Sequence, residues 1–278
     1  MSKRSSLFST LRVPCIVALG LAAVAGTSCG TMKNGQRWGE DVALRTGLDR
    51  IGHSALHAAI HPATWVPALG AAVFAINDFD RKVSDWAGEE TPVFGSQTAA
   101  RDVSNILLGS MGGIAAATIV ATPSGKEAKP WLESKGKGLL VEGCAIGSAL
   151  GMTEALKAAV GRTRPDQSDS KSFPSGHATA AFSLAALTSG NIDSIALRRG
   201  VRTGLKAVSY AMGVTVGWAR IESLSHFPSD VLAGAAIGHF LTVFIHDAFL
   251  GPSDEAVRLE VEVVPSAGGG IVFAYLSF

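Results

Sequence analysis

Three short groups in the second half of the 278-residue chain hold the residues that could do chemistry. They are Lys157-x6-Arg164-Pro165, Pro174-Ser175-Gly176-His177 and Arg220-x5-His226-x3-Asp230. Together they supply three cations, two imidazoles and one carboxylate, with no acidic pair and no thiol cluster beside them. Cations bind phosphate oxygens and offset the charge of a phosphoryl transition state, and an unprotonated imidazole is a nucleophile near neutral pH. The combination predicts phosphoryl transfer with no metal and no cofactor.

Each group falls at a helix end. Apolar spacing predicts a helix over 139–160, with Lys157 in its last turn, Gly161 able to close it, and Pro165 pushing Arg164 towards extended backbone. Pro174 to His177 opens a helical run over 176–189. Backbone N–H groups near Ser175 and Gly176 therefore point out of a helix N-terminus, where an anion is favoured. Gly176 permits close approach and Ser175 adds a hydroxyl. Arg220 follows a helix predicted over 205–219, and His226 precedes one over 230–249 that Pro228 can start. Asp230 could accept a hydrogen bond from one nitrogen of His226, leaving the other as nucleophile. Taken singly, each group also reads as ordinary helix capping.

Taken together, the groups resemble the three-part signature of the type 2 phosphatidic acid phosphatase and vanadium haloperoxidase superfamily, most fully over His226-Phe227-Pro228-Ser229-Asp230-Val231-Leu232-Ala233-Gly234. The resemblance implies a six-helix core over about 62–250. It implies that Lys157, Arg164 and Arg220 bind phosphate, with Ser175 and Gly176 assisting. It further implies that His226 attacks phosphorus to give a phosphohistidine, that Asp230 orients His226, and that His177 protonates the leaving alkoxide. One position departs, because the family usually has Ser before the third-motif arginine and this chain has Ala219. Losing one neutral hydrogen bond costs about 1 kcal/mol, too little to abolish such a site.

The implied function is hydrolysis of a phosphomonoester or diphosphate, of a lipid or another phosphoester. Two alternatives stay open. One is a vanadate-dependent haloperoxidase with vanadate on His226; the other is a non-catalytic envelope protein that binds phosphorylated lipid through the same cations. The expected pocket rim, 78–102 and 166–172, is charged and turn-rich and carries no pattern that selects a substrate.

Two further core helices are predicted at 62–77 and 103–121. An amphipathic helix precedes them within 30–61, with Leu44, Leu48, Ile51, Ala55 and Ala59 on one face and Arg45, Asp49, His53, His57 and His61 on another. The histidine stripe has metal-ligand spacing, but its charged neighbours make it a solvated face. Strand-like alternation over Arg258–Val264, a turn at Pro265–Gly270 and an apolar run over Ile271–Phe278 predict a short β-hairpin within 251–278. The fold class is thus all-α: a six-helix core bundle with an N-terminal amphipathic helix and a C-terminal hairpin.

A net charge of +1 gives no field for nucleic acid. Lys3, Arg4 and Arg12 precede an apolar run from Val13 to Gly26, so residues 1–29 read either as an export signal or as a lipoprotein signal with Cys29 the lipid-modified residue. Cys15 leaves with such a signal, Cys29 and Cys144 provide no disulfide framework, and Cys144 reads as a small core residue. A membrane span needs roughly 20 apolar residues, which only 103–121 approaches cleanly. Positive charge gathers in loops at 122–138 and 190–206, at the bundle end away from the motifs, as in cytoplasmic loops. Export followed by six crossings would put those loops outside. The reading is therefore an exported protein of a bacterial cell envelope, periplasmic or membrane-associated. Its oligomeric state is left open.

Overall fold

A computed structural model describes residues 28–42, 46–76 and 78–251, together with the backbone of 258–266 and 269–277. All but the last two residues of the expected signal lie outside these, as do Leu44 and Arg45. Eight α-helices are described: α1 (Leu48–Ile60), α2 (Pro62–Phe74), α3 (Phe79–Glu90), α4 (Gln97–Ala121), α5 (Ala128–Val160), α6 (Gly176–Ser194), α7 (Arg199–Glu222) and α8 (Pro228–Phe249). Two strands, β1 (Arg258–Ser266) and β2 (Gly269–Ser277), pair antiparallel with Val261 opposite Ala274.

α8 is the central helix, packed against α6, α2, α5 and α1, while α7 lies against α6 and α4. Close approach depends on small residues. A Cβ on Gly238 would lie 2.2 Å from the Thr179 carbonyl oxygen, and one on Gly234 2.5 Å from that of Ser175. The backbone of α8 therefore runs directly against the first turn of α6. Between α4, α6 and α7 the core is Met111, Ala181, Ala185 and Val216, again mostly small.

Two elements differ from the sequence-based expectation. The segment 78–102 contains α3, whose buried face is Asp80, Ser84, Ala87 and Gly88. That face has helical spacing but no apolar stripe, so hydrophobic periodicity does not reveal it. The amphipathic helix begins only at Leu48. Before it, the chain turns at Gly39 (φ +83°) and docks Trp38, 1% exposed, against α5. Gly138 makes room there, since a Cβ would lie 2.2 Å from the Trp38 ring.

The histidine stripe is not a solvated face either. His53 is exposed, but His57 Nδ1 lies 2.6 Å from Asp247 Oδ2, and the ring centroid of His61 is 4.4 Å from that of His239. Both rings face α8. Cys144 is exposed on α5, not in the core. Lys135, counted above among the loop charges, is buried in α5 and donates to the Thr122 carbonyl at the C-terminus of α4, where free carbonyls carry partial negative charge.

The helices α4, α5 and α8 are long and apolar enough to cross a membrane. Connectivity places the 161–175 and 223–227 loops at one end of the bundle. The 122–127 and 195–198 loops lie at the other.

Candidate active site

α5 ends at Gly161, which adopts φ +60° and returns its N–H to the Lys157 carbonyl at 3.1 Å. Lys157 is thereby held in the last turn. Its ammonium pairs with Glu154 at 2.7 Å and lies over the start of α6, where a Cβ on Gly176 would be 3.2 Å from Nζ. Glycine leaves this space to the cation. The following loop is knitted by Arg164 N–H to the Asp169 carbonyl (3.0 Å) and Ser172 N–H to the Arg162 carbonyl (2.9 Å). Arg164 Nε donates to Asp169 Oδ1 at 2.7 Å.

Ser175 caps α6, accepting from Ala178 N–H at 3.4 Å, and its own N–H bonds to the Asp230 carbonyl at 2.9 Å. That second bond joins the starts of α6 and α8. After α7, the N–H groups of Ser225 and His226 both return to the Arg220 carbonyl, at 3.1 and 3.2 Å. The turn brings His226 back beside Arg220.

Arg220 is 6% exposed, and its Nη1 donates to Ser104 Oγ at 3.2 Å. Its Nε is buried with no hydrogen-bond partner among the described residues. A buried guanidinium so sparsely met is costly unless an anion completes it. Ala219, the departure noted above, is fully buried in α7. The hydroxyl against Arg220 comes instead from Ser104 of α4.

His226 is 2% exposed, with Nδ1 2.7 Å from the Ser172 carbonyl oxygen. A carbonyl only accepts, so Nδ1 carries the hydrogen and Nε2 the lone pair. Burial, with Arg220 and Arg164 adding to it, holds the imidazole pKa well below its usual value. His177, in the first turn of α6, is lowered to about 4 by burial and then by Arg220, Lys157 and Arg164. Its Nε2 donates to Asn105 Oδ1 at 2.9 Å. The same three cations act on both histidines, so the three sequence groups converge on one place.

Asp230 is where the geometry departs from expectation. It makes no hydrogen bond to His226 and reaches it through Ser172. One Asp230 oxygen accepts from the Ser172 hydroxyl and from Phe227 N–H (2.9 Å), the latter closing the first turn of α8. The other accepts from Arg162 Nη1 at 2.7 Å.

Residues 138–251 match the family model described as PAP2 superfamily. Somewhat under half of the chain is thus similar to that superfamily. A similar curated protein, lipid A 1-phosphatase of Porphyromonas gingivalis, is 39% identical over 108 residues. That alignment takes in 38% of this chain and 23% of the relative, so the chain spans about a quarter of the relative's length. A solved structure described as the first transmembrane PAP2 type phosphatidylglycerolphosphate phosphatase, from Bacillus subtilis, superposes with a TM-score of 0.50. It is 20% identical, and the superposition covers 66% of this chain and 92% of that one. At that identity the likeness concerns the fold.

The PAP2 segment contains every site residue expected from the sequence. Ser104, Asn105 and Asp80 come from α4 and α3, before it. Neither these three nor Arg162 and Ser172 stood out in the sequence. Arg162 lies inside the Lys157-x6-Arg164 spacer, and only its buried carboxylate partners mark it.

Proposed function

We propose that the protein is a metal-independent phosphatase that hydrolyses a phosphomonoester or diphosphate of a lipid through a phosphohistidine on His226. One observation carries this reading: His226 presents an unprotonated Nε2, its tautomer set by the Ser172 carbonyl, among three cations that also act on His177. Phosphate binding draws Lys157 and Arg164 from Glu154 and Asp169 and completes Arg220. The bound negative charge offsets the cations, and His177 takes up a proton.

His226 Nε2 then attacks phosphorus, the bond to the leaving oxygen breaks, and His177 protonates that oxygen. In the second half, His177 accepts a proton from water as the water attacks phosphorus and the P–N bond breaks. Phosphate leaves, and both histidines return to their starting states. The cations stabilise the equatorial oxygens in both transition states.

A lipid substrate is supported by the named substrates of the two similar proteins and by three helices able to cross a membrane beside the site-bearing loops. A membrane-associated place in a bacterial envelope fits the same features, with Cys29, exposed and free, available for a lipid anchor. The test is phosphate release by the purified protein in chelator, from lipid A, phosphatidylglycerolphosphate, phosphatidate and a prenyl diphosphate, with His226→Ala alongside. Release from at least one, lost about 1,000-fold or more in His226→Ala, is expected. No release from any of them, or release unchanged by the substitution, overturns the reading.

A further inference from the structure

We propose that Asp80 and Arg162 are positioning residues for the nucleophile, an inference that rests on His226 being that nucleophile. Arg162 lies between two buried carboxylates. Its Nη2 donates to Asp80 Oδ2 at 2.8 Å, and its Nη1 to Asp230 Oδ1 at 2.7 Å and to Ser229 Oγ at 2.8 Å. Asp80 is 5% exposed and Asp230 fully buried. The guanidinium carbon is 4.2 Å from the centre of the Phe227 ring, the residue next to His226. Asp80 also accepts from Ser229 N–H at 2.7 Å and from its hydroxyl, fixing the first turn of α8.

A buried carboxylate stays ionised through cations and hydrogen-bond donors, and Arg162 is the cation that reaches Asp230 directly. An ionised Asp230 can accept from the Ser172 hydroxyl and Phe227 N–H at once, and these two residues flank His226 on both sides. Ser172 carries the carbonyl that receives Nδ1–H; Phe227 follows His226 in the chain. A neutral Asp230, protonated on the oxygen that Arg162 now holds, would still face these two donors but accept from them more weakly, so its hold on Ser172 and Phe227 slackens. The tautomer of His226 is then no longer fixed. Arg162 is thereby given a different part from Lys157, Arg164 and Arg220, because both of its ends are held by carboxylates.

Asp80 extends the machinery beyond the PAP2 segment. It lies on α3, which meets the rest of the bundle through α7 and α8, and a Cβ on Gly88 of the same helix would lie 2.4 Å from the Leu224 side chain. The helix is thus seated against the turn that carries the nucleophile. Its buried carboxylate supplies the second anchor for Arg162.

The experiment combines steady-state kinetics with nitrogen-15 NMR of labelled histidine rings in detergent, on wild type, Arg162→Gln, Arg162→Lys and Asp80→Asn. Arg162→Gln is expected to lower kcat about 10- to 100-fold with KM within about threefold, and Arg162→Lys to recover part of that loss. The His226 signal should change from the Nδ1–H form to a tautomer mixture in Arg162→Gln and Asp80→Asn. Asp80→Asn is nearly isosteric and serves if Arg162→Gln does not fold. A raised KM with unchanged kcat would make Arg162 a phosphate ligand and overturn the proposal, as would an unchanged tautomer in both variants. The NMR measurement needs no turnover. An inactive wild type therefore counts against the phosphatase reading, while the tautomer still decides the positioning claim.

Discussion

Arg220 Nη1 and Ser104 Oγ are 3.2 Å apart, and this neutral hydroxyl is the side chain that meets the guanidinium of a residue only 6% exposed. A cation so placed is completed by an anion. Inorganic phosphate or vanadate should therefore raise the thermal midpoint, since a ligand at 100 times its Kd stabilises by about 2.7 kcal/mol. Arg220→Gln should weaken vanadate at least about tenfold and Ser104→Ala only about threefold, measured by thermal shift and isothermal titration. Equal losses in the two variants would put the anion elsewhere.

The charge on His177 follows the same cations. Burial, Arg220, Lys157 and Arg164 all disfavour imidazolium and hold its pKa at about 4 in the free protein. Removing a cation favours the charged form, so Arg220→Gln should move the titration upwards, and so should bound phosphate. Histidine NMR titration checks both shifts. A His177 that titrates near 6.5 in the ligand-free protein contradicts the electrostatic picture.

Space at two glycines should separate binding from folding. In Gly176→Ala the new methyl meets the Lys157 ammonium at 3.2 Å, the movable end of a side chain. A KM raised about three- to tenfold with little change in thermal midpoint is expected. In Gly238→Ala it meets the Thr179 carbonyl at 2.2 Å, which is backbone. Here the loss should be in stability, about 1–3 kcal/mol or more by denaturant unfolding.

His61, between α1 and α2, gives a pH signature in stability. Burial first, then His57, lowers its pKa to about 4 in the folded state. Between about 4 and 6.5 the unfolded chain binds more protons, so stability rises with pH there and falls on acidification. His177 contributes in the same sense. Thermal midpoints measured from pH 7 to 4 should fall, and His61→Gln should flatten part of the slope.

The grouping was legible because residue type and spacing report it directly: Lys157, Arg164, Ser175, Gly176, His177, Arg220 and His226 all lie around one place in the fold. Their supports were not. Asp80 belongs to a helix whose buried face is polar and small, which hydrophobic periodicity does not detect. Arg162 lies in the six-residue spacer between Lys157 and Arg164, where nothing in residue type or spacing separates it from an ordinary surface arginine. Asp230 lies beside the loop that carries His226, but sequence spacing cannot distinguish a direct bond to His226 from a link relayed through Ser172. His57 and His61 misled for a related reason. α1 and α2 both pack against α8, where Asp247 and His239 receive the two rings, and a one-helix pattern contains no information about its neighbour.

Trapping the covalent intermediate tests the central claim most directly. With an aryl phosphate the leaving group needs no proton, so His177→Ala should still let His226 attack but should lack the base for the water that follows. In a rapid-quench experiment with phosphorus-32 in the substrate, stopped in alkaline denaturant, label should accumulate on the peptide containing His226 within the first turnover. It should vanish in the His226→Ala, His177→Ala double variant. Aryl alcohol released in a burst with no label on that peptide, or label on another residue, would contradict His226 as the nucleophile.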